Sequence, residues 1–304
     1  MIANFEDFCL FCYVTIDDCY RALPAAVKPR GMASACSDSE LLTMAVVAEC
    51  MGWDAETEAI SRWHAYRHLF PHQPDRTRAN RRRRALTDAV TLIRQRLLTL
   101  LDDALDRQCV IDSLPLPVIG FHLVPGATGA GYWRAHGADY GWIASKKRTI
   151  FGYKLHLLTT LNGVIRDIVL APASAHDVAL APDLLGGQAD LLVLGDKGYI
   201  AAALTDALRE ERGVTLATPV RRNQRAPRDP LFARRCTGAR QIIETVNDQL
   251  TAQFHIGRNH AHTFWGLCAR LESKLTAHTL CIYLNRLLGK VDALQIKVLA
   301  FPSN

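Results

Sequence analysis

No stretch of this 304-residue chain approaches the uninterrupted apolar length of a membrane-spanning helix, about 20 residues. No membrane partner is therefore expected. The N-terminus also lacks the positive charge of an export signal, since Glu6 and Asp7 precede its apolar run, and a cytoplasmic location is expected. Paired metal-ligand spacing is missing too. Cys9 and Cys12 form a C-x-x-C, but no second pair follows at zinc-finger distance. They sit among Phe8, Phe11 and Ile16, where cysteine packs as a small hydrophobe, and the odd total of nine suits a reducing compartment. Internal repeats are lacking. So is any disorder-prone bias, because 49% hydrophobic and 22% charged residues describe a soluble globular chain.

What is present is arginine in clusters. The net charge is only +6, but Arg76, Arg78, Arg81, Arg82, Arg83 and Arg84 crowd one segment. Arg221, Arg222, Arg225, Arg228, Arg234 and Arg235 crowd another, and Lys146, Lys147 and Arg148 form a third group. Each cluster reads either as a solvated basic face or as a phosphate-binding surface on DNA.

Up to about Arg107 the pattern is helical. Ser37-Asp38-Ser39-Glu40 is a capping box ahead of the apolar run Leu41 to Met51, with Gly52 as its stop. Ile60, Trp63, Tyr66 and Phe70 keep helical spacing, and the first arginine run leads into the amphipathic segment Leu86 to Leu101. Then the texture changes. Gln108 to Ile111 reads as a short strand ending at Asp112, and the Gly-containing stretch from 121 to 144 reads as irregular. Phe151 to Thr160 alternates as a strand, Asn162-Gly163 is a hairpin signal, and Val164 to Leu170 returns. A helix from Asp177 to Leu185, with Ser174 as its expected cap, precedes the strand Leu191 to Leu194, closed by Gly195-Asp196. Ala201–Arg212, Gln241–Phe254 and His262–Leu288 read as helices, with Trp265 in the core, and Val214 to Thr218 as a strand. The reading is a mixed α/β sheet flanked by helices behind an all-α N-terminal domain. Its boundaries are 1–107 (helical, DNA-binding), 108–290 (catalytic) and 291–304 (C-terminal tail).

Asp112 and Asp196 close strands, where an open α/β sheet places its active site, and Glu244 lies off the apolar face of a late helix. Three hard oxygen donors without Cys or His suit Mg²⁺ or Mn²⁺. Two such ions about 4 Å apart can activate a nucleophile and stabilise a leaving oxygen at a phosphodiester. Each acid alone also fits a solvated element end. Asp112 fits least, being set between Val110-Ile111 and Leu114-Pro115-Leu116. Asp177, beside His176, is the rival third acid. Lys154 and His156 share a strand face that could meet DNA, and Trp133 and Trp142 could stack on an unpaired base or anchor a loop.

Several motifs, taken in order, resemble the DDE transposases of small bacterial insertion sequences, most nearly the insertion-sequence family numbered nine-eight-two. They are Val-Ile-Asp112-Ser-Leu-Pro, Phe-Gly-Tyr-Lys154-Leu-His156, Ala-Ser-Ala-His176-Asp177, Leu-Gly-Asp196-Lys-Gly-Tyr and Arg240-Gln-Ile-Ile-Glu244. The resemblance runs from about Ser37 to Lys290. It implies an RNase H-like catalytic domain, recognition of terminal inverted repeats, and Asp112, Asp196 and Glu244 as catalytic metal ligands. Related elements carry Tyr-x-x-Arg-x-x-x-Glu with a Lys seven residues later. This chain keeps Arg240 but has Thr237 and Thr251 at the outer positions. The expected activity is metal-dependent cleavage and strand transfer with two Mg²⁺ or Mn²⁺ ions, on transposon ends and target DNA, by a homodimer on DNA. A metal-dependent nuclease or resolvase, or a DNA-binding protein without catalysis, are the other readings.

Overall fold

The computed structural model describes residues 2–30, 35–144, 147–218 and 230–300. Two compact units emerge. One comprises Met1–Leu101 with Gln249–Asn304, the other Asp102–Asp248. This division is not the linear one expected from the sequence, because the segment after residue 248 groups with the N-terminal helices.

The first unit is helical among its described residues. Its main elements are α1 (Phe5–Arg21), α2 (Asp38–Cys50), α3 (Glu56–His64), α4 (Arg76–Ala85), α5 (Thr87–Leu100) and α10 (Phe264–Leu287). The capping box forms as read, with Ser37 Oγ accepting from Glu40 N–H and Glu40 reaching back to Ser37 N–H. Gly52 adopts φ +67 just after α2, a conformation that side-chain-bearing residues avoid. The arginine run and the amphipathic segment are two helices, split at Leu86. Cys9 and Cys12 are buried, as their apolar setting predicts.

Helix α10 is buried along most of its length, including polar positions, so its charges need partners. Lys274 Nζ lies 2.5 Å from Glu49 of α2 and 2.6 Å from the Phe254 carbonyl. Arg270 and Arg83 approach Glu49 at 3.5 and 3.7 Å. Arg94 of α5 pairs with Glu272 at 3.4 Å. Burial pushes the Glu49 carboxyl up, but Lys274, Arg270 and Arg83 together outweigh it and hold it below the usual glutamate value.

The second unit is built on one six-stranded sheet. Its strands are β1 (Gln108–Ile119), β2 (Asp139–Ile143), β3 (Arg148–Thr160), β4 (Ile165–Pro172), β5 (Leu192–Leu194) and β6 (Thr215–Ala217). β3 pairs antiparallel with β1 on one side and with β2 and β4 on the other, while β1–β5 and β5–β6 are parallel. The β3–β4 turn uses Asn162-Gly163, with Gly163 at φ +80. Helices α7 (Asp177–Leu185) and α8 (Ala202–Arg212) cover one face through Ala181, Leu184, Leu185 and Leu208, against Cys109, Ile111 and Val193. Helix α9 (Pro230–Asp248) packs against β1. A mixed sheet flanked by helices is consistent with an RNase H-like DDE domain.

Three local expectations change. β1 does not stop at Asp112 but runs on to Ile119 against β3, losing only its β5 neighbour after Val110. Pro115 and Pro117 are tolerated there because that side of β1 has no partner strand among the described residues. The segment from 121 to 144 is not irregular: it holds a short 3-10 turn, α6 (Ala130–Ala135) and β2. The cap of α7 is His176 rather than Ser174, whose side chain bonds Asp139.

Glu49→Gln should destabilise the full chain by ~3 kcal/mol in urea, by leaving Lys274 and Arg270 uncompensated in a buried cluster. Glu49 is held below its unfolded value, so its contribution is present at neutral pH and is lost as pH falls through the depressed value. The variant's stability–pH curve should therefore flatten on its acid limb. An equal acid dependence in both proteins would contradict this role.

Candidate active site

The parallel register of β1 and β5 builds the site. Val110 faces Leu194, the last paired positions, so Asp112 and Asp196 each lie two residues further on and project to the same side. Side chains alternate along β1. Ile111 joins the core under α7, while Val110 and Asp112 look the other way, toward the face on which α9 packs.

Asp112 sits mostly out of water, and its carboxyl is pushed up to about 6. Burial is the main cause, and the charges of Asp196 and Asp177 add to it. The Ser113 backbone N–H and the Asn247 amide oppose the rise. Asn247 Nδ2 donates to Asp112 Oδ2 at 2.7 Å. Asp196 is exposed and caps the turn Lys197–Tyr199, its Oδ1 accepting from Gly198 N–H at 2.7 Å. The tight turn expected from Lys197-Gly198-Tyr199 is there, with Tyr199 buried beneath it.

Glu244 arrives from α9. Ala239, Ile243 and Val246 form that helix's buried face. Arg240, Glu244 and Asn247, spaced four and three apart, share another. Arg240 Nε donates to Glu244 Oε1 at 2.7 Å. This bond raises the guanidinium pKa, and the charges of Asp112 and Asp196 reinforce it. One open cleft of about 290 Å³ is lined by Asp112, Asp196, Lys197, Arg240 and Glu244 over an apolar floor of Val110, Leu194 and Ile243.

The three carboxylates share the cleft without clustering. Among the described residues no three His, Cys, Asp or Glu side chains are close enough to hold a metal ion together. Like charges repel. Glu244 answers instead to Arg240, and Asp112 to Asn247.

Asp177 occupies different ground. It pairs with Lys154 Nζ at 2.9 Å, accepts from Ser113 Oγ at 3.4 Å, and is not in the cleft lining. Lys154 also donates to the Ala175 carbonyl, so a residue expected to meet phosphates is engaged within the protein. His156 is wholly buried, with Nδ1 3.2 Å from the Tyr199 hydroxyl.

The other basic candidates divide. Lys146, Arg221, Arg222 and Arg225 lie outside the described residues. Lys147 and Arg148 are exposed at the start of β3. In the helical unit, Arg82 grips Asp38 through two bonds of 2.7 and 2.8 Å, and Arg83 turns inward to Glu49. Arg78 pairs with Asp75 at 3.3 Å, whereas Arg76, Arg81 and Arg84 are exposed without an ion pair among the described residues. Trp133 is buried; Trp142 is exposed; Trp265, expected in the core, is 65% exposed. Sequence reasoning missed Asn247, although its place three residues after Glu244 was a usable helical signal.

The Asp112 carboxyl titrates above its unfolded value, so its ionisation costs stability as pH rises from about 4 through about 6. Asp112→Asn should therefore leave the metal-free protein as stable at pH 8 as the wild type, or more stable by up to roughly 2–3 kcal/mol. Thermal melts in EDTA at pH 5 and pH 8 check this. A variant less stable at pH 8 would mean that the charge is matched in the fold.

A family model described as "Transposase DDE domain" matches residues 105–280, more than half of the sequence. No curated protein and no solved structure matches the chain. The match spans every residue that lines the carboxylate cleft, and the chain belongs to the transposase DDE domain family.

Proposed function

We propose that this protein is a DNA transposase of an insertion sequence, of the nine-eight-two type, acting on terminal inverted repeats by metal-dependent cleavage and strand transfer. Asp112, Asp196 and Glu244 are its three acids. The observation that carries this reading is the single cleft onto which all three open, with Arg240 between helix and strand ends.

The donor set suits hard divalent cations. All three acids offer oxygen, and the Asp112 carboxyl, raised mainly by burial, also feels the negative charges of Asp196 and Asp177. Asp112, Asp196 and Glu244 would hold two Mg²⁺ or Mn²⁺ ions. Such ions, when bound, lower the pKa of an attacking water or 3′-hydroxyl and stabilise the leaving oxygen. The chain's own residues do the positioning. Asn247 fixes one oxygen of Asp112. Gly198 N–H orients Asp196. Arg240 orients Glu244 through their hydrogen bond, and its planar fork would also suit a backbone phosphate. Lys197 adds a second positive group to the cleft wall. Lys147, Arg148 and the basic residues Lys146, Arg221, Arg222 and Arg225 would extend the phosphate-binding surface. Joining two ends to one target calls for two active sites, hence a homodimer on DNA.

Glu244→Gln should abolish cleavage of the element's own ends in Mg²⁺ or Mn²⁺ while end binding in Ca²⁺ persists. Asp177→Asn should chiefly lower stability, by removing the partner of Lys154. Gel assays of nicking and strand transfer separate the outcomes: cleavage without joining identifies a nuclease, and full cleavage in EDTA refutes the metal-held triad. End complexes containing one protein chain would refute the dimer.

A further inference from the structure

The helical unit carries a second charged site, of opposite sign. An open pocket of about 480 Å³ is walled by Arg76, Arg83 and Arg84 of α4 and by His260, Thr263 and Arg270 around the start of α10. Four guanidinium groups meet one lining carboxylate, Glu56, and that one already accepts from Asn80 Nδ2 at 2.7 Å. Glu49 lies behind Arg83 and Arg270, but its short partner is Lys274 at 2.5 Å. The two arginines stand further off, at 3.7 and 3.5 Å. They share that carboxylate with the lysine.

The shortfall shows in the hydrogen bonds. Arg83 Nη2 and Arg270 Nε are buried and have no hydrogen-bond partner among the described residues, and the Arg270 side chain is only 9% exposed. A buried cationic N–H without an acceptor is costly, and the two arginines that carry such groups both line this pocket. Helix α10, 24 residues long, begins at this wall with Thr263 as its cap, so the positive end of its dipole adds to the same field.

We propose that this pocket is a phosphate-binding site, in which Arg83, Arg270 and the start of α10 seat the anion and Arg76 and Arg84 hold it from the exposed side, and that its ligand is a backbone phosphodiester of DNA. The choice of DNA over free phosphate rests on the proposed transposase function; the site's affinity for the phosphate group does not. It sorts the arginine run by task. Arg82 braces the fold through Asp38, Arg76, Arg83 and Arg84 serve the pocket, and Arg78 and Arg81 lie outside it.

Two double variants of the full chain remove equal charge from one helix: Arg76→Ala with Arg84→Ala, and Arg78→Ala with Arg81→Ala. Binding to duplex DNA is measured across a salt series, and melting with and without inorganic phosphate at constant ionic strength. The pocket pair should lower the slope of log affinity against log salt by about 0.9 for each phosphate no longer neutralised, the other pair by less. Phosphate should raise the Tm of the wild type and not that of the pocket variant. Arg270→Gln, if it folds, should also lose the phosphate effect. Normal DNA binding with equal slopes in both pairs, and no phosphate effect on wild type, overturns the pocket and leaves the transposase reading standing. A phosphate effect that vanishes in the pocket variant, in a protein that does not bind DNA, keeps the anion site and overturns DNA as its source.

Discussion

Three parallel pairs, Gln108 to Val110 against Leu192 to Leu194, hold the two aspartates side by side. Parallel strands keep residues of equal register on one face, so the last pair, Val110 and Leu194, aims Asp112 and Asp196 at the same cleft. Because β5 stops there, no further strand covers that side of β1 among the described residues, and α9 brings Arg240, Glu244 and Asn247 to it. The core of Ile111, Val193, Leu184 and Tyr199 on the opposite face keeps the two strands from shifting register, since a slip of one residue would bury the acids and expose the core.

Electrostatics in the sheet unit follow from that constraint. Asp112 is largely withdrawn from water and lies in the field of Asp196 and Asp177, which is why its carboxyl holds a proton far above the usual aspartate range. The protein answers this charge with one amide from Asn247, the guanidinium of Arg240 held by Glu244, and Lys197 on the cleft wall. Asp177, outside the cleft lining, is paired with Lys154.

The helical unit solves the reverse problem. Its long helix α10 buries lysine, arginine and glutamate in one stack, and Glu49 of α2 is the hub that makes such burial tolerable. One carboxylate is shared among three cations, and two of them, Arg83 and Arg270, also line a pocket. A cleft lined by three carboxylates and a pocket lined by four arginines thus lie in separate units.

Much of the molecule is legible in its sequence. The capping box at Ser37, the Asn162-Gly163 hairpin and the turn after Asp196 are short-range devices, decided by neighbours in the chain. The acids at 112, 196 and 244 are legible as motifs in order, and the cleft brings them together. Strand length is not, because β1 continues past Asp112 only by virtue of a β3 partner some forty residues away in sequence. The fates of single charges are also hidden. Arg81, Arg82 and Arg83 are equivalent in a sequence, yet one is exposed, one is locked to Asp38, and one turns in toward Glu49. Lys154 and Trp265 read as surface and core and turn out tied down and exposed. The sequence by itself determined the order of the main elements and singled out the three acids as candidates, because propensity and turns act within a few residues. Which of those side chains meet was decided by tertiary packing, because burial and ion pairing depend on partners far apart in the chain.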